Sequence, residues 1–483
     1  GGGGQMRPAD RWGALSRFLV LTAFGALILA PTAVAVGAVA ALLAFSAARG
    51  GRRLTHRRSS STSRAAAVLG SDASGRRVLL TDDELSAHGL ILGASGAGKS
   101  TTLLKLMTEQ IERGRPVVAI DMKGSPAFAR VLADAAEAAG RPFKVWSIDG
   151  PAHWNPLAHG NATELKDKLI GTERFTEPHY QRAAERYIQT VLQVTVQANP
   201  DRAPTLQEVV ALMDPRRLAA SLRNLDRPFR ERVQDYLAGL TPDQHSAIRG
   251  LQTRLAVVTE SHTGTFLSVR ADASRAQSID LREALRGPEV VLFSLNSSKY
   301  GRLAAQLGTL VVQDLVSASG DRLTDPSRER AIIGIDEFSA LGADHVIALL
   351  ARGRESGLCV LVATQELADL DRAGSGLRDQ VLGVTAIKIA HRQEVPESAH
   401  TIAQIAGTEK VWEVTRQLGG HLLGGSGASR GTRRRVEQFI VHPNEIKGLR
   451  TGQAVVISKL TGGRPRTVRI EPPRRPPPTD LGR

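Results

Sequence analysis

A short glycine-rich stretch carries the clearest chemistry in the sequence. It has the pattern G-x-x-x-x-G-K-S, formed by Gly93, Ala94, Ser95, Gly96, Ala97, Gly98, Lys99 and Ser100, with Thr101 next in the chain. In such a loop the backbone N–H groups turn inward around an anion, at a helix N-terminus whose dipole favours negative charge. The pattern predicts a phosphate cradle in which Lys99 reaches the β- and γ-phosphates and the Ser100 hydroxyl coordinates Mg²⁺.

Two carboxylates form the second candidate group. Asp336 and Glu337 end an apolar run at 331–335 that is typical of a buried strand. Beside a phosphate-binding loop, the first carboxylate would hold Mg²⁺ through water. The second would take a proton from the water that attacks the γ-phosphate. Gln365 follows the next apolar run, at 358–363, and would sense the γ-phosphate or orient water, unless it simply caps a strand end.

A further strand-like run, at 116–120, ends in the sequence Asp-Met-Lys-Gly. Open α/β sheets bind ligands beyond the carboxyl ends of their strands. Asp121 and Lys123 therefore either line the nucleotide cleft or form a charged turn, and the sequence leaves both possibilities open.

Strand-like and helical runs alternate around these motifs, which is the pattern of an α/β fold. The predicted parts are a first α/β segment at 66–160, an all-α insertion at 161–285, a second α/β segment at 286–471 and a proline-rich tail at 472–483. Arginines along the insertion either contact nucleic-acid phosphates or form a solvated helix surface. Strands are also predicted over 384–390 and 436–441, the second after a Gly- and Ser-rich segment at 417–432 that ends next to three arginines.

Composition narrows the class of protein. The chain has 483 residues, enough for about three domains, and a formal net charge of +15. This charge favours polyanionic partners, either nucleic acid or an anionic membrane face. Aromatic residues make up only 4% of the chain, so widespread stacking on bases is excluded. Cys359 is the single cysteine, which excludes an internal disulfide and fits a reducing compartment. Its apolar neighbours predict a small core residue.

The N-terminal region has the character of a membrane anchor. Residues 18–48 contain no charged side chain, and one helical span needs about 20 residues. Residues 14–48 are therefore predicted to form a transmembrane segment, as one kinked span or a short hairpin. A cleaved signal peptide is less favoured, because the apolar core is too long. The basic linker at 49–65 contains six arginines and no acid, which places the C-terminal side in the cytoplasm.

Together these motifs resemble those of type IV coupling proteins of the TraD/TraG/TrwB type. The matching segments, in order, are the glycine loop, Asp121-Met122-Lys123-Gly124, Trp154-Asn155-Pro156-Leu157, Ile335-Asp336-Glu337-Phe338, Gly353-Arg354-Glu355-Ser356-Gly357-Leu358, Ala363-Thr364-Gln365 and His442-Pro443-Asn444-Glu445-Ile446. The resemblance extends over essentially the whole chain. Its nucleotide motifs are shared with hexameric DNA translocases of the FtsK/HerA group, whereas the membrane anchor combined with the helical insertion is more specific.

The resemblance implies a RecA-like P-loop NTPase motor in a membrane-attached, ring-shaped homo-hexamer that uses ATP and Mg²⁺. Such a ring links the relaxase-bound DNA (the relaxosome) of a conjugative element to a type IV secretion channel. The motor would face the cytoplasm at the bacterial inner membrane. Carried over by position, the residues that bind triphosphate and Mg²⁺, activate water and sense the γ-phosphate are Lys99, Ser100, Asp336, Glu337 and Gln365.

Arg354 resembles the arginine finger of the family, which reaches the nucleotide of the neighbouring subunit. Arg352 is the alternative for that role. One departure concerns the membrane anchor, because many members have two spans separated by a periplasmic loop and residues 18–48 leave almost no room for one.

Two other functions stay open at this point. The first is a chromosome-partitioning or repair translocase of the FtsK/HerA type. Such chains usually carry a C-terminal winged helix or an N-terminal β-barrel, and neither is expected here. The second is an adaptor that recruits protein substrates to a secretion channel, in which ATP binding serves assembly. The matching nucleotide motifs argue against an inactive site, but they do not identify the transported substrate.

Overall fold

The computed structural model describes residues 65–173, 175, 177–269, 277–326, 328–341, 343–416 and 431–474. The chain divides into two compact units, 1–64 and 65–483, and every described residue lies in the second. The transmembrane segment predicted at 14–48 and nearly all of the linker predicted at 49–65 therefore lie outside the described residues, as does the end of the tail. Within the described ranges, no helix combines the length and the apolar character that a membrane span requires.

Fifteen strands occur in the described ranges. They are β1 (Ala65–Asp72), β2 (Arg77–Thr81), β3 (Gly89–Leu92), β4 (Val117–Asp121), β5 (Phe143–Ser147), β6 (His153–Trp154), β7 (Ser278–Ile279), β8 (Val290–Ser294), β9 (Ala331–Asp336), β10 (Leu358–Thr364), β11 (Ile387–Ala390), β12 (Thr408–Arg416), β13 (Gly431–Phe439), β14 (Gln453–Ser458) and β15 (Arg466–Ile470). Eleven of them form one sheet in the order β2-β1-β15-β14-β11-β3-β10-β9-β4-β8-β5. Neighbours from β5 to β11 are parallel, and the remaining strands are joined antiparallel.

The parallel register brings the chemical motifs to one edge of the sheet. Asp336 at the end of β9 is paired with Asp121 of β4 on one side and with Ala363 of β10 on the other. Leu92, the last residue of β3 before the glycine loop, is paired with Thr364 of β10. Because parallel strands all end at the same edge, segments far apart in sequence meet there without any long-range sequence signal.

The helices connect these strands and build the insertion. They are α1 (Asp82–Ser86), α2 (Lys99–Glu112), α3 (Pro126–Ala138), α4 (Ala162–Ile170), α5 (Pro178–Ala198), α6 (Leu206–Leu212), α7 (Pro215–Ser221), α8 (Arg227–Ala238), α9 (Pro242–Thr259), α10 (Leu281–Ala284), α11 (Ser297–Leu323), α12 (Ala343–Gly353), α13 (Leu367–Ala373), α14 (Leu377–Val384), α15 (Pro396–Ala406) and α16 (Pro443–Lys447). Capping boxes begin α1, α4, α6 and α9. In each, the side chain of the Thr or Asn before the helix accepts from the backbone N–H of the third helical residue. The Glu or Gln side chain of that residue accepts in turn from the backbone N–H of the Thr or Asn.

Two hydrophobic clusters cover the two faces of the sheet. Along β3, Leu90 and Leu92 join one cluster and Ile91 joins the other, as the two-residue period of a strand requires. Cys359 of β10 lies in the second cluster with only 3% of its surface exposed, and burial raises the pKa of its thiol to about 12. The expectation of a core cysteine is confirmed.

Helices α4 to α9 lie between the two α/β parts and share the first cluster with the sheet. A buried ion pair attaches them to α11, because the Lys168 ammonium lies 2.7 Å from Asp314 Oδ1 and also donates to Pro156 O. The indole of Trp154 donates to the other oxygen of Asp314. The Trp154-Asn155-Pro156-Leu157 segment therefore connects the sheet to the insertion. The region also contains β7, which pairs with β6.

Two predicted strands have different bounds in the structure. The strand expected over 384–390 begins only at Ile387, because α14 continues to Val384. The strand expected over 436–441 is β13, which ends at Phe439 and pairs antiparallel with β12 in a separate two-stranded ribbon. β12 has the mixed polar and apolar sequence TEKVWEVTR, which gives no clear period-two pattern, so the sequence did not predict it.

His88 provides a test of the fold through pH. The ring is 2% exposed and its Nδ1 accepts from the Val360 N–H, so the neutral form fits the site. Burial, with a smaller contribution from Arg354, lowers its pKa to about 4. The unfolded chain binds this proton near the ordinary value, so the stabilisation is complete above about pH 6.5 and is lost as the pH falls toward 4. Acidification from pH 7 to 5 should cost roughly 2 kcal/mol at this residue.

We expect His88→Asn to reduce this acid sensitivity. Asn tolerates the left-handed backbone at this position, where φ is 64°, and its Oδ1 can replace the Nδ1 acceptor. The measurement is denaturant unfolding of the full chain at pH 7 and pH 5. The exposed His400, changed to Asn, is the matched control and should leave the pH dependence as in the wild type. An equal acid-induced loss in His88→Asn and wild type would contradict the assignment.

Candidate nucleotide site

The glycine loop lies between β3 and α2, as the sequence predicts. Gly98 precedes α2 with φ of 118°, a left-handed conformation that glycine adopts without steric cost. Gly93 is required for a different reason, because a Cβ there would lie 2.6 Å from His391 Cβ. The loop thus combines a backbone turn with a close approach of the neighbouring strand end, and both features need glycine.

Lys99 points back into its own loop. Its ammonium donates to Gly93 O at 2.6 Å and to Ala94 O at 3.3 Å. The residue is only 4% exposed, and burial, followed by the nearby charge of Lys123, lowers its pKa. Two loop carbonyls therefore occupy the ammonium, and a phosphate oxygen could take their place as a stronger, charged acceptor.

Ser100 and Asp336 meet across the sheet edge. The Ser100 hydroxyl donates to Asp336 Oδ2 at 2.6 Å. Asp336 is 1% exposed, and its second oxygen, Oδ1, is buried without a hydrogen-bond partner. An unpartnered buried carboxylate oxygen is costly, and hard oxygen donors of this type are those that Mg²⁺ prefers. The residues present therefore fit the predicted magnesium site.

Glu337 has a strained backbone and three polar partners, one of which is the Ser339 hydroxyl, which donates to Oε1 at 3.5 Å. Its φ of 59° is unusual for a residue other than glycine, and such conformations cluster at functional sites. The Gln365 amide donates to Glu337 Oε2 at 3.1 Å. The Lys123 ammonium lies 3.2 Å from the same oxygen and 3.8 Å from Asp336 Oδ2. The carboxylate is thus held between an amide and a cation at the mouth of the site.

Asp121 and Lys123 have separate roles, which the sequence could not distinguish. The Asp121 carboxylate accepts from the backbone N–H groups of Lys123 and Ser125, so it holds the turn after β4. Burial raises its pKa despite these two donors. Lys123 faces the site. Burial alone would lower its pKa, but the charges of Asp336 and Glu337 outweigh this and raise it.

His391, at the end of the strand next to β3, is a site residue that the sequence reading missed. Its Nδ1 lies 2.8 Å from Gln453 O, so this nitrogen carries the proton, and its Nε2 accepts from the Thr102 hydroxyl at 2.9 Å. Burial lowers its pKa to about 4, which keeps the ring neutral. A lone histidine after a four-residue strand has no distinctive motif. Its position next to β3 in the sheet would have been the only available signal.

The backbone around the loop is held by neighbouring segments as well. The Gly93 N–H donates to Gln365 O, and the Ala94 N–H donates to Arg392 O. On the other side, the Gly452 N–H donates to Ala97 O at 3.0 Å. The loop is therefore fixed by the segments that follow β10 and β11 and by the segment that precedes β14.

Arg352 and Arg354 lie away from this site. Both are exposed and stand near the start of β10, whereas Ser100, Asp336 and Glu337 lie at its other end. A seven-residue strand is about 23 Å long. Neither arginine can therefore reach the glycine loop of its own chain, and only a second chain could bring one of them there.

The Thr102–His391 bond gives a direct test of this arrangement. Thr102→Val keeps the side-chain shape but leaves His391 Nε2 as a buried acceptor without a donor. The free energy of unfolding should fall by about 1–3 kcal/mol. Thr101→Val is the matched control, because Thr101 is exposed, and it should have little effect. Thermal unfolding of the nucleotide-free full chain measures both, and equal stability of the two variants would contradict the proposed network.

Solved structures share this fold. The unbound bacterial conjugative coupling protein TrwBdeltaN70 superposes with a TM-score of 0.61 at 17% identity, over 85% of this chain and 89% of that chain. Plasmid coupling protein TrwB with the ATP analogue ADPNP gives 0.59 at 16% identity, over 86% and 92%. VirB4 of Thermoanaerobacter pseudethanolicus gives 0.55 at 16% identity, over 84% and 96%. These likenesses confirm the predicted α/β, RecA-like P-loop fold, and at such identities they show the fold alone.

The sequence itself matches a family model. Residues 77–467 match the model of the type IV secretion-system coupling protein DNA-binding domain. The comparison with curated proteins gave no match. The matched segment extends from β2 to the start of β15, and it contains the glycine loop, the two carboxylates and the helical insertion. The chain therefore belongs to the type IV secretion-system coupling protein family.

Proposed function

We propose that this chain is a Mg²⁺-dependent ATPase that drives DNA into a type IV secretion channel during conjugation. The observation that carries the proposal is the contact between Ser100 of the glycine loop and Asp336, beside Glu337 and Gln365. This arrangement joins a phosphate cradle, a hard-cation site and a carboxylate base at one sheet edge. TrwB, which has the same fold, has been solved with ADP and Mg²⁺ and with a non-hydrolysable ATP analogue.

Ser100 and Asp336 would hold the metal ion. Bound there, Mg²⁺ neutralises charge on the phosphate oxygens. Lys99 would exchange the Gly93 and Ala94 carbonyls for the β- and γ-phosphates, and the loop N–H groups would complete the cradle. Because the ammonium is already in the loop, a rotation of the Lys99 side chain would make this exchange.

Glu337 would act as the general base toward the attacking water. Gln365 fixes the carboxylate through its amide and would report the state of the γ-phosphate. Lys123 balances the charge of both carboxylates. These roles give each polar side chain at the sheet edge a part in hydrolysis or in positioning.

The position of Arg354 supports a ring. An arginine that stands at the far end of β10 from its own site can complete the site of a neighbour, and an arginine supplied in trans stabilises the charge of phosphoryl transfer. We therefore propose a homo-hexamer, as in the family, with Arg354 as the finger and Arg352 as the alternative. Hydrolysis in one subunit would then depend on the position of the next one.

The proposed partners follow from charge and family. A net charge of +15 suits the sequence-independent neutralisation of DNA phosphates. We propose that the all-α insertion at 161–285 faces the DNA and the relaxosome. Residues 14–48 would anchor the ring in the bacterial inner membrane, next to channel components. The motor would then lie on the cytoplasmic side.

ATP hydrolysis by the full chain, measured with and without single- and double-stranded DNA, tests the proposal. Wild type should hydrolyse ATP and be stimulated by DNA. Glu337→Gln should lower the rate by roughly 100- to 10,000-fold, because it removes the base, while it still binds nucleotide. Lys99→Ala should lose both hydrolysis and tight nucleotide binding. Wild-type hydrolysis without any DNA stimulation would favour the adaptor function, and wild-type rates in Glu337→Gln would reject Glu337 as the base.

Mixed rings test the arginine in trans. Arg354→Ala subunits titrated into wild type should reduce activity more steeply than their fraction, since each mutant subunit also disables a neighbour's site. Arg352→Ala is the matched control, being exposed on the same segment two residues away. A linear loss with Arg354→Ala would contradict a finger in trans. A steep loss with Arg352→Ala alone would transfer the role to Arg352.

A further inference from the structure

The ribbon of β12 and β13 is attached to the rest of the unit at its base. Phe439 packs edge-on against His400 of α15, with ring centroids 5.5 Å apart. Glu409 pairs with Arg464, and the Ile440 N–H donates to Gly407 O. Beyond this base, the described side chains from Lys410 onward on β12 are exposed. An isolated two-stranded ribbon is only marginally stable in water, so a ribbon with open faces favours a partner.

The strand register sorts the ribbon side chains onto two faces. Residues directly opposite in an antiparallel pair project to the same side. Trp412 is paired with Arg435, and Lys410 is paired with Glu437. Arg433, two residues from Arg435, shares their side. This side, here called the Trp412 face, thus carries three cations and one carboxylate, and that carboxylate accepts from the Thr408 hydroxyl.

The opposite face has a different character. It carries Glu409, Val411 and Glu413 from β12 and Arg434 and Val436 from β13. Two acids therefore accompany one arginine, whereas the Trp412 face has an excess of positive charge. The asymmetry arises because three consecutive arginines alternate between the faces, while the acids of β12 fall on one side.

Trp412 is exposed to an unusual degree. Its relative accessibility is 62%, whereas Trp146 and Trp154 are buried in the core at 0% and 1%. The guanidinium of Arg435 lies 5.9 Å from the centre of its ring. The face therefore presents a flat aromatic surface with a cation beside it and two more cations nearby.

We propose that the Trp412 face binds single-stranded DNA, with Trp412 stacking on a base and Lys410, Arg433 and Arg435 neutralising phosphates. Aromatic platforms in basic grooves bind single strands without reading sequence, because every base has a π-face. Bases in a duplex are already stacked on each other, so the ring selects unpaired DNA. The choice of polymer rests on the proposed function, but the binding itself needs no ATP hydrolysis.

A neighbouring subunit is the competing occupant, and the charges argue against it. The buried core of a protein–protein interface is depleted of charged residues. Here Arg433 and Arg435 flank the exposed ring, so a protein partner would have to bury them beside it. Single-stranded DNA has charged phosphates and unpaired bases. It therefore matches both the positive charge of this face and the exposed ring of Trp412.

Binding of fluorescein-labelled dT20 to the detergent-solubilised full chain without nucleotide, followed by anisotropy, tests the proposal. Trp412→Ala should weaken binding roughly tenfold, and Trp412→Phe should stay within about threefold of wild type. A 20-base-pair duplex should show a smaller difference between Trp412→Ala and wild type. Arg435→Gln should weaken binding and reduce the salt slope by about one. Arg434→Gln, on the opposite face, is the matched control and should bind like wild type.

Three results would overturn the proposal. One is wild-type affinity of Trp412→Ala for dT20. Another is equal loss in Arg434→Gln and Arg435→Gln, which would mean diffuse attraction by charge. The third is unchanged DNA binding with altered oligomer size in Trp412→Ala, which would assign the face to a neighbouring subunit. Basal ATP hydrolysis separates this inference from the proposed function. If the chain hydrolyses no ATP but its binding to dT20 still depends on Trp412, the proposed ATP-driven motor is rejected. The proposal that the Trp412 face binds single-stranded DNA then still holds.

Discussion

The hydrogen bond from Ser100 to Asp336 is the interaction on which the described site depends. It joins two residues 236 positions apart in the chain. Only the parallel register makes this contact possible, because β3 and β9 end at the same edge with β10 between them. The helical insertion lies between these two strands in sequence, yet it packs on one face of the sheet and leaves the edge intact. Strands from both halves of the α/β unit can therefore place their side chains at the same edge.

Charge balance explains the arrangement of the other polar groups. Two adjacent carboxylates at a partly buried edge repel each other unless cations lie nearby. Lys123 supplies one cation, shared between Asp336 and Glu337. Lys99 donates instead to the loop carbonyls of Gly93 and Ala94, which partly satisfy its ammonium. A triphosphate with a divalent cation would add charges of both signs, so the two lysines would change partners together. The site is thus arranged so that binding redistributes existing contacts.

The sequence predicted those parts of the site that local patterns specify. The glycine loop, its flanking strand and helix, and the Asp336–Glu337 strand end follow from short motifs with a known physical role. The Asp121 carboxylate holds its own turn, and the Lys123 ammonium faces the site. The sequence could not predict which of the two would do which, since both positions depend on how one turn folds. His391 and the loop contacts of Gly452 depend on which strands are neighbours, and no local pattern encodes that. β12 and its pairing with β13 were missed for the same reason, because pairing, and not period, defines this ribbon.

The contacts of the glycine loop show why the antiparallel edge matters to the chemistry. His391 connects α2, through Thr102, to the start of β14, through Gln453 O. The Gly452 N–H binds Ala97 O, and the Ile470 N–H binds Gly452 O, so β15 is joined to the same turn. A buried neutral histidine cannot move far without leaving a donor or acceptor unpaired in a dry environment. A displacement of β14 would therefore disturb the hydrogen bonds that hold the loop backbone. The strands beyond β11 therefore act on the site by fixing the shape of the glycine loop.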